Sequence, residues 1–408
     1  MLHAPERHEA LQPAGWDEQR ARDTIERIVR DTVRRFSADA LWPLHPKDLE
    51  PGDDAAQAAT PLYHGAAGVM WAVHYLHAMG AVTSSTRYDQ HLDTLLERNR
   101  AWLSSSMPGD ETAAYMMGHT PILLMAQGHR PTDERAEQLA TLIERNLDHS
   151  ARELMWGSPG TMLAALFLHE RFGDARWPDC FRRTAARLWS QLLWSDDHAC
   201  HYWAQDLYGR RFTFLDGVHG FVGTASVLIR GRHLLEAGEW ADWERTIANT
   251  IEKTVVREGG LANWRPLLID PIDRPQRLLM QFCHGAPGFV ICLADFPGSM
   301  LDDILVAAGD AIWAAGPLTK GSNLCHGTGG NGYAFLKLYQ RTGEAHWLAR
   351  ARAFAMHGLV QTEADERQHG RMRYSLWTGD LGFAIYLWDC IRARAAFPTL
   401  DVFYPPPP

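Results

Sequence analysis

The sequence predicts an all-α protein, an α/α toroid of about seven helical hairpins with glycine-rich turns at one end. Three observations predict it. A turn made of a polar or small residue, Gly, two further residues and then Gly or Pro recurs along the chain, each time ahead of an apolar run. The first glycines of these turns, at 65, 118, 157, 220, 285, 327 and 379, lie 39 to 65 residues apart, which is room for a helix out and a helix back. Between them lie charged stretches whose apolar residues recur at helical spacing.

Taken in order, the segment from Trp16 to Phe36 puts Ile25, Ile28, Val29, Val33 and Phe36 on one stripe and predicts a helix packed outside the repeat. The first turn and inner helix follow as "HGAAGVMWAVHYL" (64–76). A degraded copy, "MGHTPILLMA" (117–126), has lost its second glycine and carries Pro121 nearby, so a remodelled turn is expected there. The outer stretch "RAEQLATLIERNL" from Arg135 leads to "WGSPGTMLAALFL" (156–168), and "ARLWSQLLW" from Ala186 precedes "HGFVGTASVLI" (219–229). The last three copies are "HGAPGFVICLA" (284–294), "HGTGGNGYAFL" (326–336) and "TGDLGFAIYLW" (378–388). Each unit therefore reads as an outer amphipathic helix and a more apolar inner one. Glycine ahead of the inner helix permits a turn closed to residues with a Cβ and lets helix ends approach closely. Closure into a ring is inferred because an open solenoid leaves terminal units in need of polar caps. The expected organisation is an N-terminal helical extension over 1–58, the toroid over 59–395, and a Pro-rich tail over 396–408. Its "YPPPP" end cannot continue a helix and is expected on the surface.

Composition excludes some functions. With 46% hydrophobic residues, the 408-residue chain can bury a large core. A formal charge of −9 and no basic run argue against nucleic-acid binding, which needs a surplus of Lys and Arg on one face. No window approaches the 18 or more apolar residues of a membrane span, and "MLHAPERHEALQPAGW" lacks an apolar signal core, so a cytoplasmic location is expected. Six cysteines in this length form no dense disulfide framework and are expected to be reduced. Cys180, Cys200, Cys292 and Cys390 read as small buried hydrophobes.

Two cysteines are different. "QFCHGAPG" and "NLCHGTGG" place Cys283 and Cys325 in matching Cys-His-Gly turns. If the turns gather at one end of a toroid, then His64, Trp156, His219, His284, His326 and Thr378 gather round one mouth, with the two thiols one step back. Thiolate and imidazole are the ligands that zinc prefers in a tetrahedron. Adjacent Cys325 and His326 with distant Cys283 give three protein ligands and leave a fourth position open, the mark of a catalytic zinc. His64 reads as a capping or hydrogen-bonding residue. A phosphate-binding reading of Gly-x-x-Gly is set aside, because the lysine and Ser/Thr of a P-loop are missing.

At "FCHGAPG", "LCHGTGGNGYAFLKLY", "HGFVG" and "WGSPG" the sequence resembles the lanthionine synthetase C-like family, the cyclases of lanthipeptide biosynthesis and their eukaryotic relatives, over roughly residues 60–390. The resemblance implies an α/α toroid with one catalytic zinc ion per chain, held by Cys283, Cys325 and His326, so that His284 is not a ligand. It maps the catalytic histidine onto His219. The implied chemistry is addition of a thiol to a dehydroalanine or dehydrobutyrine residue, with zinc lowering the thiol pKa and a histidine handling the proton. Phe282 stands where the family commonly has Trp, a change expected to affect packing. No assisting acid is placed; Asp206 and Asp216, near His219 in sequence, read as structural.

The resemblance leaves the thiol open. A cyclase closes thioether rings in a precursor peptide supplied by a separate dehydratase, whereas eukaryotic-type relatives add glutathione to dehydroamino acids in damaged proteins. "KGSNLCHGTGGN" places Lys320 where that second type uses a lysine near glutathione. A non-catalytic, zinc-stabilised scaffold that binds a peptide is the competing class, and the open fourth ligand position speaks against it.

Overall fold

The computed structural model describes residues 1–49, 58–83, 86–107, 109–270 and 276–405. The end of the expected N-terminal extension (50–57) and the last three prolines of the tail (406–408) lie outside the described residues.

The chain is an α/α toroid. Among the described residues seven helices form the inner ring: α2 (Ala66–Ala78), α4 (Thr120–His129), α6 (Ser158–Phe172), α8 (Phe221–Arg230), α10 (Ala286–Leu293), α12 (Thr328–Thr342) and α14 (Asp380–Arg392). Seven more lie outside: α1 (Glu18–Arg35), α3 (Leu92–Ser106), α5 (Asp133–Asn146), α7 (Arg176–Ser190), α9 (Ala237–Thr254), α11 (Asp302–Ala315) and α13 (Ala345–His369). The inner helices are buried over most of their length, as in α6 and α12, where every residue of the first three turns is covered. Outer helices bury one stripe and carry their charges outside. The ring closes where α14 packs against α2. The stripe Ile25, Ile28 and Val29 of α1 is buried, and α1 lies against α14, so the N-terminal helix is the outer partner of the last inner helix. Its start is capped by Asp17, whose side chain accepts the Arg20 N–H at 2.9 Å. Among the described residues no helix is long and apolar enough to cross a membrane.

Among the described residues three antiparallel hairpins interrupt the helices. β1 (Leu193–Ser195) pairs with β2 (Cys200–Tyr202) and β3 (Gln205–Leu207) with β4 (Arg210–Phe212), both between α7 and α8. β5 (Val255–Glu258) pairs with β6 (Leu261–Trp264) after α9. The segment after α14 turns inward. Phe397, Leu400 and Phe403 are buried, the Trp71 indole donates to the Phe403 carbonyl at 2.8 Å, and the Tyr115 hydroxyl donates to that of Thr399 at 2.6 Å.

The glycine turns follow from how the inner helices start. In three of them the loop ahead folds back on the first turn and its carbonyls take the unpaired N–H groups. Ala66, Ala67 and Gly68 donate to Ala59, Thr60 and Pro61; Phe221, Val222 and Gly223 to Phe214, Leu215 and Asp216; Thr328, Gly329 and Gly330 to Gly321, Ser322 and Asn323. A Cβ on Gly330 would lie 1.9 Å from the Leu324 carbonyl oxygen. The same bonds occupy first-turn N–H groups that a phosphate would need. Gly285, with φ +107°, holds a backbone that L-residues avoid, and its Cβ would sit 2.0 Å from the Leu279 oxygen. Gly285→Ala is expected to destabilise the protein by about 3 kcal/mol or more, as strain and overpacking add. A thermal unfolding midpoint equal to wild type would contradict this account of the turn.

Candidate functional site

The residue two places before each first glycine occupies one position of the repeat, and backbone hydrogen bonds link these positions around the ring. The Cys283 N–H donates to Cys325 at 3.1 Å, Cys325 to Trp377 at 2.9 Å, Trp377 to Tyr63 at 3.0 Å, Tyr63 to Met116 at 3.1 Å and Met116 to Met155 at 3.1 Å. The link to the next turn runs from the neighbouring Leu154 N–H to Val218, at 3.2 Å. Cysteines 42 residues apart in sequence thus become neighbours. Ligand atoms of Cys283, Cys325 and His326 lie within 4.8 Å of one another.

Each sulfur has a polar partner. The Tyr63 hydroxyl donates to Cys325 Sγ at 2.8 Å, and Gln281 Nε2 donates to Cys283 Sγ at 2.9 Å. Arg7 in turn donates to Gln281 Oε1 at 2.7 Å, fixing the amide so that its NH₂ faces the sulfur. The second sulfur and burial hold the Cys283 thiol well above its ordinary pKa, and burial, Cys325 and Cys283 do the same to Tyr63. Two sulfurs and an imidazole in mutual reach are the donor set of zinc, whose bound ligand atoms sit about 3.3–3.8 Å apart, so a small contraction of these side chains suffices.

Two histidine–carboxylate pairs sit in the adjoining turns. His219 Nδ1 lies 2.8 Å from Glu153 Oε2. Glu153 is fully buried and also accepts the N–H groups of Met155 at 2.9 Å, Trp156 at 2.6 Å and Gly157 at 3.2 Å, so it is fixed by its own turn. Burial works against a charged His219, but the hydrogen bond and charge of Glu153 outweigh it and the pKa lies above the ordinary histidine value. His284 Nδ1 lies 2.7 Å from Asp216 Oδ2, while Asp216 Oδ1 accepts the N–H groups of Val218 at 3.1 Å and His219 at 2.9 Å. Burial again opposes the charge, yet Asp216 and Cys283 push His284 up to about 8. The Phe214 ring lies 5.8 Å from one imidazole and 6.1 Å from the other, so both pairs share one apolar wall.

Lys320 is exposed, six residues before His326, and its carbonyl accepts from Asn323 Nδ2 at 3.2 Å. His64 makes ring contacts with Tyr63 and Trp102, while Gly65 is the N-cap of α2 and has no side-chain cap. Phe282 packs on Trp377 and Phe397. Asp206 is exposed on β3, whereas Asp216, read from the sequence as structural, holds His284. Sequence reasoning missed Glu153, Tyr63 and Gln281. A signal for two of them was present: Glu153, Asp216, Gln281, Asn323 and Ser375 all stand four residues before a first glycine, a polar position in five of the seven turns.

The description lanthionine synthetase C-like protein belongs to the family whose pattern matches residues 57–402. The chain is 26% identical over 375 residues to glutathione S-transferase LANCL1 of Danio rerio, with 83% of this chain and 84% of that protein covered. It is 30% identical over 264 residues to LanC-like protein GCL1 of Arabidopsis thaliana, covering 61% and 58%. Among solved structures, nisin cyclase superposes with a TM-score of 0.55 at 13% identity, over 91% of this chain and 98% of that one, a likeness of fold.

Proposed function

Because the chain belongs to the lanthionine synthetase C-like family, we propose that it adds a thiol to dehydroalanine or dehydrobutyrine residues of a peptide or protein, with one zinc ion held by Cys283, Cys325 and His326. The observation that carries this reading is the meeting of two thiols and an imidazole in turns adjoining a half-buried histidine held by a buried carboxylate.

Bound zinc supplies the positive charge that keeps a thiol deprotonated near neutral pH. Tyr63 and Gln281 hold the ligand sulfurs by donating to them, which orients the cysteines. As the incoming sulfur bonds to the β-carbon, the double-bond electrons move to the α-carbon and its carbonyl as an enolate. That enolate needs one proton at the α-carbon. His219, whose protonated form Glu153 favours, delivers it through Nε2, the nitrogen left free by the Nδ1 contact. The proton lost by the thiol balances the one gained at carbon. Free thiols throughout suit a reducing compartment, and we place the reaction in the cytoplasm.

Two thiols suit this chemistry: a cysteine of the same peptide, dehydrated by a separate dehydratase, and glutathione. Similarity to LANCL1 along most of both chains favours glutathione, and Lys320 offers an ammonium to one of its carboxylates. Mass spectrometry of a dehydroalanine peptide, with an internal cysteine or with added glutathione, tests both; a zinc-loaded protein that turns over neither is a scaffold and sinks the proposal. If glutathione is the donor, Lys320→Ala is expected to raise its KM roughly tenfold, the loss of one ion-paired contact worth about 1.4 kcal/mol. Zinc content should stay unchanged.

A further inference from the structure

We propose that His45, Asp365 and His369 form a second divalent-metal site, for zinc or a similar transition ion, which ties the segment ahead of α2 to α13. Among the described residues, two groups of three or more His, Cys, Asp and Glu side chains have all their ligand atoms within 4.8 Å of one another. One is the cysteine centre, and the other is this trio. Asp365 and His369 stand four apart on α13 and so share a face. His45 comes from the loop after α1, at the start of a short 3-10 turn (Pro46–Asp48).

The unsatisfied atoms point to a missing ligand. His45 is 1% exposed, and its Nε2 has no hydrogen-bond partner; neither has the buried Nε2 of His369. Both face the same carboxylate from beyond hydrogen-bond reach: His45 Nε2 lies 4.0 Å from Asp365 Oδ2 and His369 Nε2 lies 3.6 Å from Oδ1. The rings meet edge to face at 4.7 Å. Leaving two imidazole nitrogens buried and unpaired is costly, and a cation between them satisfies both. Ligand atoms on a tetrahedral zinc sit about 3.3 Å apart, so the trio needs only a modest contraction.

The surrounding charges narrow the metal. Lys47 pairs with Asp365 and Arg373 pairs with Asp48, so the neighbourhood carries no surplus negative charge. Calcium and magnesium, which need several oxygens, are disfavoured, and imidazole-preferring ions are favoured. Ligation through His45 Nε2 puts the ring proton on Nδ1 and gives up the 3.2 Å bond that Nδ1 accepts from the Lys47 N–H. That is one long cap exchanged for a metal bond.

The test uses full-length protein carrying Cys283→Ser and Cys325→Ser, which disables the first centre. Titration with Zn²⁺ and with Co²⁺ is expected to show one remaining equivalent, whose cobalt spectrum lacks sulfur charge-transfer bands. Adding His369→Gln or Asp365→Asn should weaken that binding at least tenfold. His369 lies at the end of its helix, so His369→Gln is expected to fold even if His45→Gln does not. Should the serine variant itself fail to fold, metal content is read on otherwise wild-type protein, with two equivalents expected and one after His369→Gln. No uptake beyond the cysteine centre, or uptake unchanged by His369→Gln and Asp365→Asn, overturns the assignment.

Discussion

Cys283→Ala and Cys325→Ala are each expected to lose the zinc of the cysteine centre and to lose thiol addition by about 10³-fold or more, as several kcal/mol of charge stabilisation disappear. The protein should stay folded. Small zinc domains unfold without metal because the ion supplies their core, whereas this ring is held by seven inner helices buried against one another. A smaller loss of stability is still expected, because Cys325→Ala strands the Tyr63 hydroxyl and Cys283→Ala strands the Gln281 amide. Each buried unpaired group costs about 1–3 kcal/mol. Metal analysis, circular dichroism and turnover on the same preparations separate these effects. Full zinc occupancy in both variants would mean that the ligands lie elsewhere.

Some of this was legible in the sequence because it is dictated within a few residues. Gly330 is glycine because the Leu324 carbonyl, six residues back, occupies the place of a Cβ, and that collision recurs at Gly68 and Gly288. Such short-range constraints leave a written pattern, and its period reports the hairpins. The thiols were legible because they sit inside that pattern. The acids that hold the imidazoles were not, for Glu153 lies 66 residues from His219 and Asp216 lies 68 from His284. Their pairing exists only once the ring brings neighbouring turns together. The hairpins β1 to β6 escaped for a different reason: strands of three or four residues are too short to show alternation. The course of residues 396–403 was hidden as well, since Phe397 and Phe403 lack a helical period and are placed by the space inside the ring.

His219→Ala is expected to keep zinc and helical content while losing on the order of 10²- to 10⁴-fold in thiol addition, the usual contribution of a positioned acid. Gly220 rather than His219 caps α8, and the Asp216 contact to His219 involves its backbone N–H, so truncating the imidazole leaves the turn intact. Glu153→Gln then asks how the histidine is kept charged. Glu153 raises the His219 pKa, so the proton-donating form persists above the pH at which an ordinary histidine has lost it. Activity that needs the imidazolium falls as pH rises through that raised pKa. Removing the carboxylate charge lowers the pKa, and the alkaline limb of the pH–rate profile should move to lower pH. Both variants need zinc measured alongside turnover. The glutamine's NH₂ would also face backbone donors that Glu153 now accepts, at a cost of about 1–3 kcal/mol in stability. A stability loss with the alkaline limb unmoved would make Glu153 a brace for its own turn, and zinc-replete His219→Ala with near wild-type turnover would take His219 out of the proton transfer.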